Sequence, residues 1–359
     1  MAYWTRQRAP GDLRSLAGPD LKAIVSGLCH QTAAKDMSEF DLIARLQKRF
    51  AAHASACRNA PVVGIGDDAA VLDVPAGQQL LVTTDTLVSG VHFFADDKPA
   101  DIAAKALAVN LSDLAAMGAE PAWFFLAISL PTEDLQWWDD FTQGLLDMAS
   151  QAGIQLAGGD TTHGPMSVTI TAMGLTATSK ALRRDGARPG DLVVVSGQPG
   201  LAAFALQERL AGRDTPPEAQ QALLRPQPRL SLGKSLRDRA SACVDVSDGL
   251  AADLGHILKA SKCGAELWPQ KLPTPPALSE LESAARWRLQ LAGGDDYELC
   301  FTLPLQHEAL LPGLQEKSGV ALQVIGRIVN GDGLKLVPET GREFELDRFG
   351  YDHFSVRTS

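Results

Sequence analysis

Acidic side chains in this sequence recur in short strings with glycine, serine or threonine. The strings are Gly64-Ile-Gly66-Asp67-Asp68, Thr83-Thr84-Asp85-Thr86, Asn110-Leu-Ser-Asp113, Gly158-Gly159-Asp160-Thr161-Thr162, Asp245-Val-Ser247-Asp248-Gly249 and Gly293-Gly294-Asp295-Asp296-Tyr297-Glu298. Carboxylate with hydroxyl oxygen is the donor set of a hard cation such as Mg2+, and glycine lets backbone come close to a ligand. Carboxylates gathered without bases repel one another, so a cleft shared by these strings calls for cations, and cations invite phosphate. Taken singly, each string has a simpler reading, because Asp caps helices and Gly-Asp pairs close turns. Six of one kind along one chain shift the balance. Asp113 resists the simple reading most, since it interrupts an apolar helical run from Ala106 to Met117, where an unpaired carboxylate is costly. Asp248 directly precedes a predicted helix, Leu250–Ala260, and reads either as an N-cap or as a group facing metal-bound phosphate. His92, between Gly90 and Phe93-Phe94, reads on its own as a packed or hydrogen-bonded residue.

Two nucleotide-binding patterns fail on context. Gly64-Ile-Gly66-Asp67-Asp68-Ala69 fits G-x-G-x-x-A, yet it leads within six residues to Pro75-Ala-Gly77 rather than into a helix. It also sets two carboxylates where a pyrophosphate needs bare N–H groups. Leu232-Gly-Lys234-Ser235 ends like a phosphate-binding loop, but Pro228 holds the place of its first glycine.

The elements that must position these strings follow from hydrophobic period. Phe40, Leu42, Ile43, Leu46 and Phe50 predict a helix, and Val62–Ile65, Ala69–Val74 and Leu80–Thr84 predict strands. Helices follow over Pro99–Met117 and Glu133–Ala152, the second stopped by Gly153. Strands Ile154–Ala157 and Met166–Gly174 precede a Gly/Arg/Pro-rich connection from Ser179 to Gly190. A second α/β section has strands Leu192–Ser196, Cys243–Val246, Tyr297–Leu303 and Leu322–Ile328, with helices near 200–212, 229–240, 250–261 and 306–318. The acidic strings are expected in loops between these elements.

The 359 residues, 45% hydrophobic and 21% charged, describe a globular chain of two domains or one large one. With 33 Lys+Arg against 43 Asp+Glu the formal charge is −10, which disfavours nonspecific nucleic-acid binding. The longest apolar run, Ala122–Leu130, is far short of the roughly 20 residues of a spanning helix. Neither a nucleic acid nor a membrane is an expected partner. Five cysteines without CxxC spacing suit a reducing, cytoplasmic setting. Residues 1–36 read as an extension outside the core fold, ahead of an N-terminal domain over 37–178 and a C-terminal domain over 179–359.

These strings resemble, in order, the signatures of the thiamine-monophosphate kinases, within the ATP-binding superfamily of aminoimidazole ribonucleotide synthetase. The resemblance rests on residues 64–69, 83–93, 105–119, 158–162, 245–250 and Gly350-Tyr351-Asp352-His353-Phe354, and runs from about Ser38 to Phe354. It implies an α/β (α+β) fold of two domains, the first forming the sheet or barrel of a homodimer and the second closing the ATP site. It implies transfer of the γ-phosphoryl of ATP to thiamine monophosphate, with several Mg2+ ions and no general base. Asp68, Thr83, Thr84, Asp85, Asp113, Asp160, Asp245 and Asp248 are then the metal ligands, directly or through water. Gly159, Asp160, Arg184 and Ser247 hold ATP, and His92, Asp295, Phe349 and Tyr351 face the thiamine substrate. One departure stands out: the family usually reads Gly-Gly-Glu-Asp-Tyr-Glu, and here the third residue is Asp295, one methylene shorter. The nearest alternatives are another ATP-dependent synthetase of the superfamily, such as a selenophosphate synthetase, and a noncatalytic metal- or nucleotide-binding protein. Cys29 and Cys57 lack the glycine-rich setting of the reactive residue in selenophosphate synthetases.

Overall fold

A four-stranded and a six-stranded sheet share one long buried helix in the computed structural model, which describes residues 39–54, 59–339, 346 and 350. The expected extension over 1–36 and the residues Phe349 and Tyr351 lie outside the described residues. Helix α1 (Glu39–Ala54) buries Leu42, Leu46 and Phe50, one side of a 3.6-residue period. The first sheet holds β1 (Gln78–Val88), β2 (Glu120–Leu130), β3 (Gln155–His163) and β4 (Ser167–Ala177) in the order β1-β4-β2-β3. Only β2 and β3 run parallel. Helices α2 (Pro99–Ala116) and α3 (Leu135–Ala152) pack together beside this sheet. Asp134 caps α3 by accepting from the amides of Gln136 and Trp137, and Gly153, at φ 66°, ends it.

The second sheet orders β5 (Leu192–Ser196), β6 (Ala242–Asp245), β7 (Gly264–Leu267), β8 (Leu299–Leu303), β9 (Leu322–Val329) and β10 (Gly333–Leu336) as β10-β7-β9-β5-β8-β6. Around it lie α4 (Leu201–Leu210), α5 (Pro217–Leu224), α6 (Leu230–Leu236), α7 (Leu250–Ser261), α8 (Ser283–Ala292) and α9 (Leu311–Ser318). Helix α2 touches β1 and β4 of the first sheet and α6 and β6 of the second. Its last turn, at Ala115 and Ala116, enters the core built by Leu192, Val194, Phe301 and Leu303. No helix among the described residues is long and apolar enough to cross a membrane.

Several expectations are corrected. Val62–Ile65 and Ala69–Val74 form no strands; only isolated pairings of Val63 with Val71 and of Ile65 with Asp67 remain, because Gly64 and Gly66 interrupt the run and Val62 and Val71 stay exposed. The apolar run Ala122–Leu130 is β2, a central strand. Thr83–Thr86 and Gly158–Thr162 lie inside strands rather than in loops, and Asn110–Asp113 lies inside α2. Helices α5 and α8 and strands β7 and β10 had no counterpart in the sequence pattern.

Candidate active site

The stripe Lys105, Val109 and Asp113 runs along one face of α2, each residue four after the last, so that successive side chains lie about one turn apart. Two cavities open along this helix. One, of about 760 Å3, is bounded by Gln79–Thr83 of β1, Leu114 and Met117 of α2, Arg183 and Arg184 of the connecting segment, and Cys243–Asp245 of β6. The other, of about 870 Å3, is bounded by Asp85, His92, Val109, residues of α4, Ser247, Asp248, Gly293–Asp295, Tyr297 and Gly350. Asp113 and Asp245 border both.

At that shared wall the acids crowd. Thr83 Oγ1 donates to Asp113 Oδ2, and Asp85 is close enough to Asp113 to share a proton with it. Burial first, and then the Asp113 charge, push the Asp85 carboxyl up to about 6. Burial also raises Asp113, held back by the Thr83 hydroxyl and the Arg184 guanidinium. Asp245, fully inside, is pushed up to about 8 by burial and by Asp113. Carboxyls forced toward neutrality by burial, and at Asp85 and Asp245 by the Asp113 charge as well, are a site prepared for positive charge. Among the described residues no three carboxylate, imidazole or thiolate groups converge on one point. The donor set still fits Mg2+, which usually takes one or two protein carboxylates and completes its shell with water and phosphate oxygen.

The first sheet divides the other expected ligands. Asp85, Ile170, Leu126 and Gly159 form one row across its four strands, and the buried Ile170 and Leu126 mark this as the helix side. The next row, Thr86, Thr169, Ala127 and Asp160, faces the open side, as does Thr84. Asp85 and Asp160 thus stand on opposite edges and opposite faces, three strand spacings or about 14 Å apart. Gly159 allows β3 to lie tight on β2, for a Cβ there would overlap the Leu126 carbonyl. Asp68 is exposed on the loop before β1 and borders neither cavity.

Asp248 is not the N-cap of α7; Gly249 is, with no side-chain cap. The loop is fixed instead by Asp253, whose Oδ2 accepts from the amides of Ser247, Asp248 and Gly249 at 3.0 to 3.1 Å. Burial and the nearby Asp248 push this carboxyl up to about 7 in spite of the three donors. Asp296, half-buried, accepts from Gly200 at the start of α4, and Arg229 grips Glu298, to which Ser196 also donates at 2.6 Å. Sequence reasoning missed Asp253 and Lys105. An acid in the first turn of α7, just after the Asp-Val-Ser-Asp-Gly string, and a lone lysine in an apolar helix were the available signals.

Comparison with known proteins defines the class. Residues 66–176 match the family model "AIR synthase related protein, N-terminal domain", and residues 188–338 match the corresponding C-terminal domain. The thiamine-monophosphate kinase of Escherichia coli K12 is 46% identical over 328 residues, covering 89% of this chain and 98% of that protein. The crystal structure of thiamine-monophosphate kinase from Stenotrophomonas maltophilia K279a is 46% identical at a TM-score of 0.77, over 84% of this chain and 97% of that one. AaThiL in complex with AMPPCP and TMP is 28% identical at a TM-score of 0.68, over 88% and 97%. The chain belongs to the thiamine-monophosphate kinase family, and it is a kinase with the two-domain α/β fold of the AIR synthase related proteins.

Proposed function

We propose that this chain transfers the γ-phosphoryl group of ATP to thiamine monophosphate, giving thiamine diphosphate and ADP, the last step in making that diphosphate. The transfer is direct and in line, without a phosphoenzyme. The carrying observation is that two cavities meet at Asp113 and Asp245, so a donor in one and an acceptor in the other present their phosphates to a single acidic wall. The nucleotide occupies the cavity bounded by β1 and Arg184; Ser247 reaches its phosphates from the other cavity across the shared wall, and Gly159 and Asp160 reach them from the edge of a second copy. The acceptor occupies the cavity bounded by His92 and Asp295. The AMPPCP and TMP bound together in AaThiL support this pairing.

An acceptor phosphate is already an anion at neutral pH, so no side chain need remove a proton; the barrier is repulsion between two polyanions brought into line. Bound Mg2+ supplies the neutralising charge and fixes the phosphate geometry. Thr83, Asp85, Asp113, Asp245 and Asp248 are its ligands at the shared wall, directly or through water. Thr84 and Asp160 are ligands from the open face and Asp68 from the loop before β1. What the chain itself contributes is placement: α2 sets Asp113 between the cavities, and Asp253 holds the Ser247–Gly249 loop against them.

The first sheet suits a second copy through its edge strands, β1 and β3. It exposes Val82 and Val88 beside Thr84 and Thr86, whose hydroxyls bond Thr171 and Thr169 at 3.0 and 2.8 Å. A homodimer in which two such sheets join edge to edge would bring the Asp85 edge of one copy to the Asp160 edge of the other. On this reading 37–178 is the ATP/Mg-binding and dimerisation domain, and 179–359 closes over it. The thiols Cys243, Cys263 and Cys300 are free and buried, which suits the cytoplasm.

The test is ADP release from Mg-ATP with and without thiamine monophosphate, using Asp113→Asn as the control. Release that depends on thiamine monophosphate and disappears in the variant supports the reading. Release indifferent to thiamine monophosphate would refute it.

A further inference from the structure

The acceptor cavity is acidic at one end of α2 and electrically balanced at the other. At the Asp113 end the carboxyls are held by Thr83 and face Arg184 across the wall. Two turns earlier Lys105, with 4% of its side chain exposed, directs its ammonium out of the helix between two separate segments. Nζ lies 3.0 Å from Asp295 Oδ2 and donates to the His92 carbonyl at 3.1 Å. Tyr297 Oη donates to the other oxygen, Asp295 Oδ1, at 3.1 Å.

We propose that Lys105 is a positioning residue for the acceptor: one buried ammonium fixes the His92 segment and the Asp295 carboxylate relative to each other, and so sets the width of the pocket between them. This rests on the reading that His92 and Asp295 face thiamine monophosphate.

Each segment is folded tightly by itself but needs a tie to the other. The His92 ring is turned back on its own strand, with Nδ1 accepting from Val88 N at 3.0 Å. The Asp295 segment is pinned to the Ser247 loop by Asp295 N to Ser247 O and Tyr297 N to Val246 O, both 2.8 Å. Asp295 and Tyr297 both take left-handed backbone, φ 67° and 49°, a conformation held only where surroundings impose it. Among these contacts Lys105 joins the two segments through one group.

The arrangement also accounts for the aspartate at position 295. A carboxylate one methylene shorter than glutamate still has both oxygens engaged, because the lysine reaches it from α2 and the tyrosine from two residues along. Engaged in this way, Asp295 is held in one orientation. Its charge is balanced by the ammonium, so this end of the cavity does not compete with the Asp113 end for divalent cations.

Steady-state kinetics on the full chain with Mg-ATP separates positioning from simple stapling. Lys105→Met is expected to raise KM for thiamine monophosphate about 10- to 100-fold, the usual range for a group supporting a contact residue, with KM for ATP changed less than about 3-fold. Tyr297→Phe, which removes one hydroxyl and keeps the packing, should move the same constant in the same direction by a smaller factor. Lys105→Met combined with Asp295→Asn should be no worse than the weaker single variant, since the two act as one unit. Lys105→Arg, which keeps the charge, should recover part of the loss. A wild-type chain that ignores thiamine monophosphate would overturn the assigned function and this role with it. A responsive wild type, with both Michaelis constants moving together in Lys105→Met, or with additive effects in the double variant, would overturn the positioning role alone.

Discussion

Replacing Asp245 by Asn should make the metal-free protein more stable while removing its activity. The Asp245 carboxyl ordinarily loses its proton near 3.8, and burial with the Asp113 charge pushes that to about 8. In the unfolded chain at pH 7 the group is ionised and solvated; in the folded chain it is mostly held neutral. About three pH units separate 3.8 from 7, and at about 1.4 kcal/mol each the folded state is penalised by roughly 4 kcal/mol. Asn carries no such penalty, and relaxation around the site lowers the gain to an expected 2 to 4 kcal/mol, still large for a protein stable by about 5 to 15. The sign follows from proton counting: between pH 4 and 8 the folded wild type binds more protons than the unfolded chain, so its stability falls as pH rises. The advantage of Asp245→Asn should therefore be near zero at pH 4, grow through pH 7, and level off above pH 8. Urea unfolding at several pH values in the presence of a chelator measures it. A variant no more stable than wild type at pH 7.5, or equally stabilised at pH 4.5, would refute the account of Asp245 as an acid held neutral by burial and by the Asp113 charge.

The same acids set the other expectations. Without metal the melting temperature of the wild type should fall between about pH 5 and pH 8, because the folded chain keeps protons on Asp85, Asp253 and Asp245 up to about 6, 7 and 8 that the unfolded chain has already released. Added Mg2+ should raise it more at pH 8 than at pH 6, which a pair of melting curves would show. Asp253→Ala leaves three amides of the Ser247–Gly249 loop without their acceptor, and should lower stability by about 3 kcal/mol while cutting ADP release severely. Gly159→Ala drives a methyl against the Leu126 carbonyl, and should cost about 1 to 3 kcal/mol in a denaturant titration and raise KM for ATP. Arg229→Met strands the buried Glu298 and should cost about 3 to 5 kcal/mol, part of which Glu298→Gln in the same chain recovers.

What the sequence made legible depended on whether one physical rule governed the local pattern. The long helices α2 and α3 were clear because apolar residues at helical spacing run for many turns between a Pro or Asp start and a Gly stop. Some short elements were not: α5 and α8, with 8 and 10 residues, and β7 and β10, with 4 each, give a period little room to declare itself, although the 4-residue β6 and the 7-residue α6 were expected. The acidic strings in β1 and β3 looked like loops because Gly, Asp and Thr are turn formers. In the fold β1 and β3 are the two edges of a sheet, where one face is open and polar side chains remain in water. Gly158 and Gly159 serve close strand contact there, not a turn.

The acid in α2 and the lysine in α2 pose one problem, and only half of it was read from the sequence. An ionised group in an apolar helical run must have a partner, since leaving it bare in the interior costs several kcal/mol. That rule singled out Asp113, and the fold supplies Thr83 and the facing Arg184. Applied eight residues earlier it singles out Lys105 equally, and the partner, Asp295, lies 190 residues away on the other side of the helix's two-sheet contact. The two charges are opposite and the spacing between them is two turns, so the helix carries a polarity along the acceptor cavity. Its cation-accepting end lies where both cavities meet, and its cation-excluding end lies where His92 and Asp295 stand. A helix that touches both sheets is the one element able to hold both ends in register, which is why the reacting phosphates and the pocket that selects the acceptor depend on the same buried stripe.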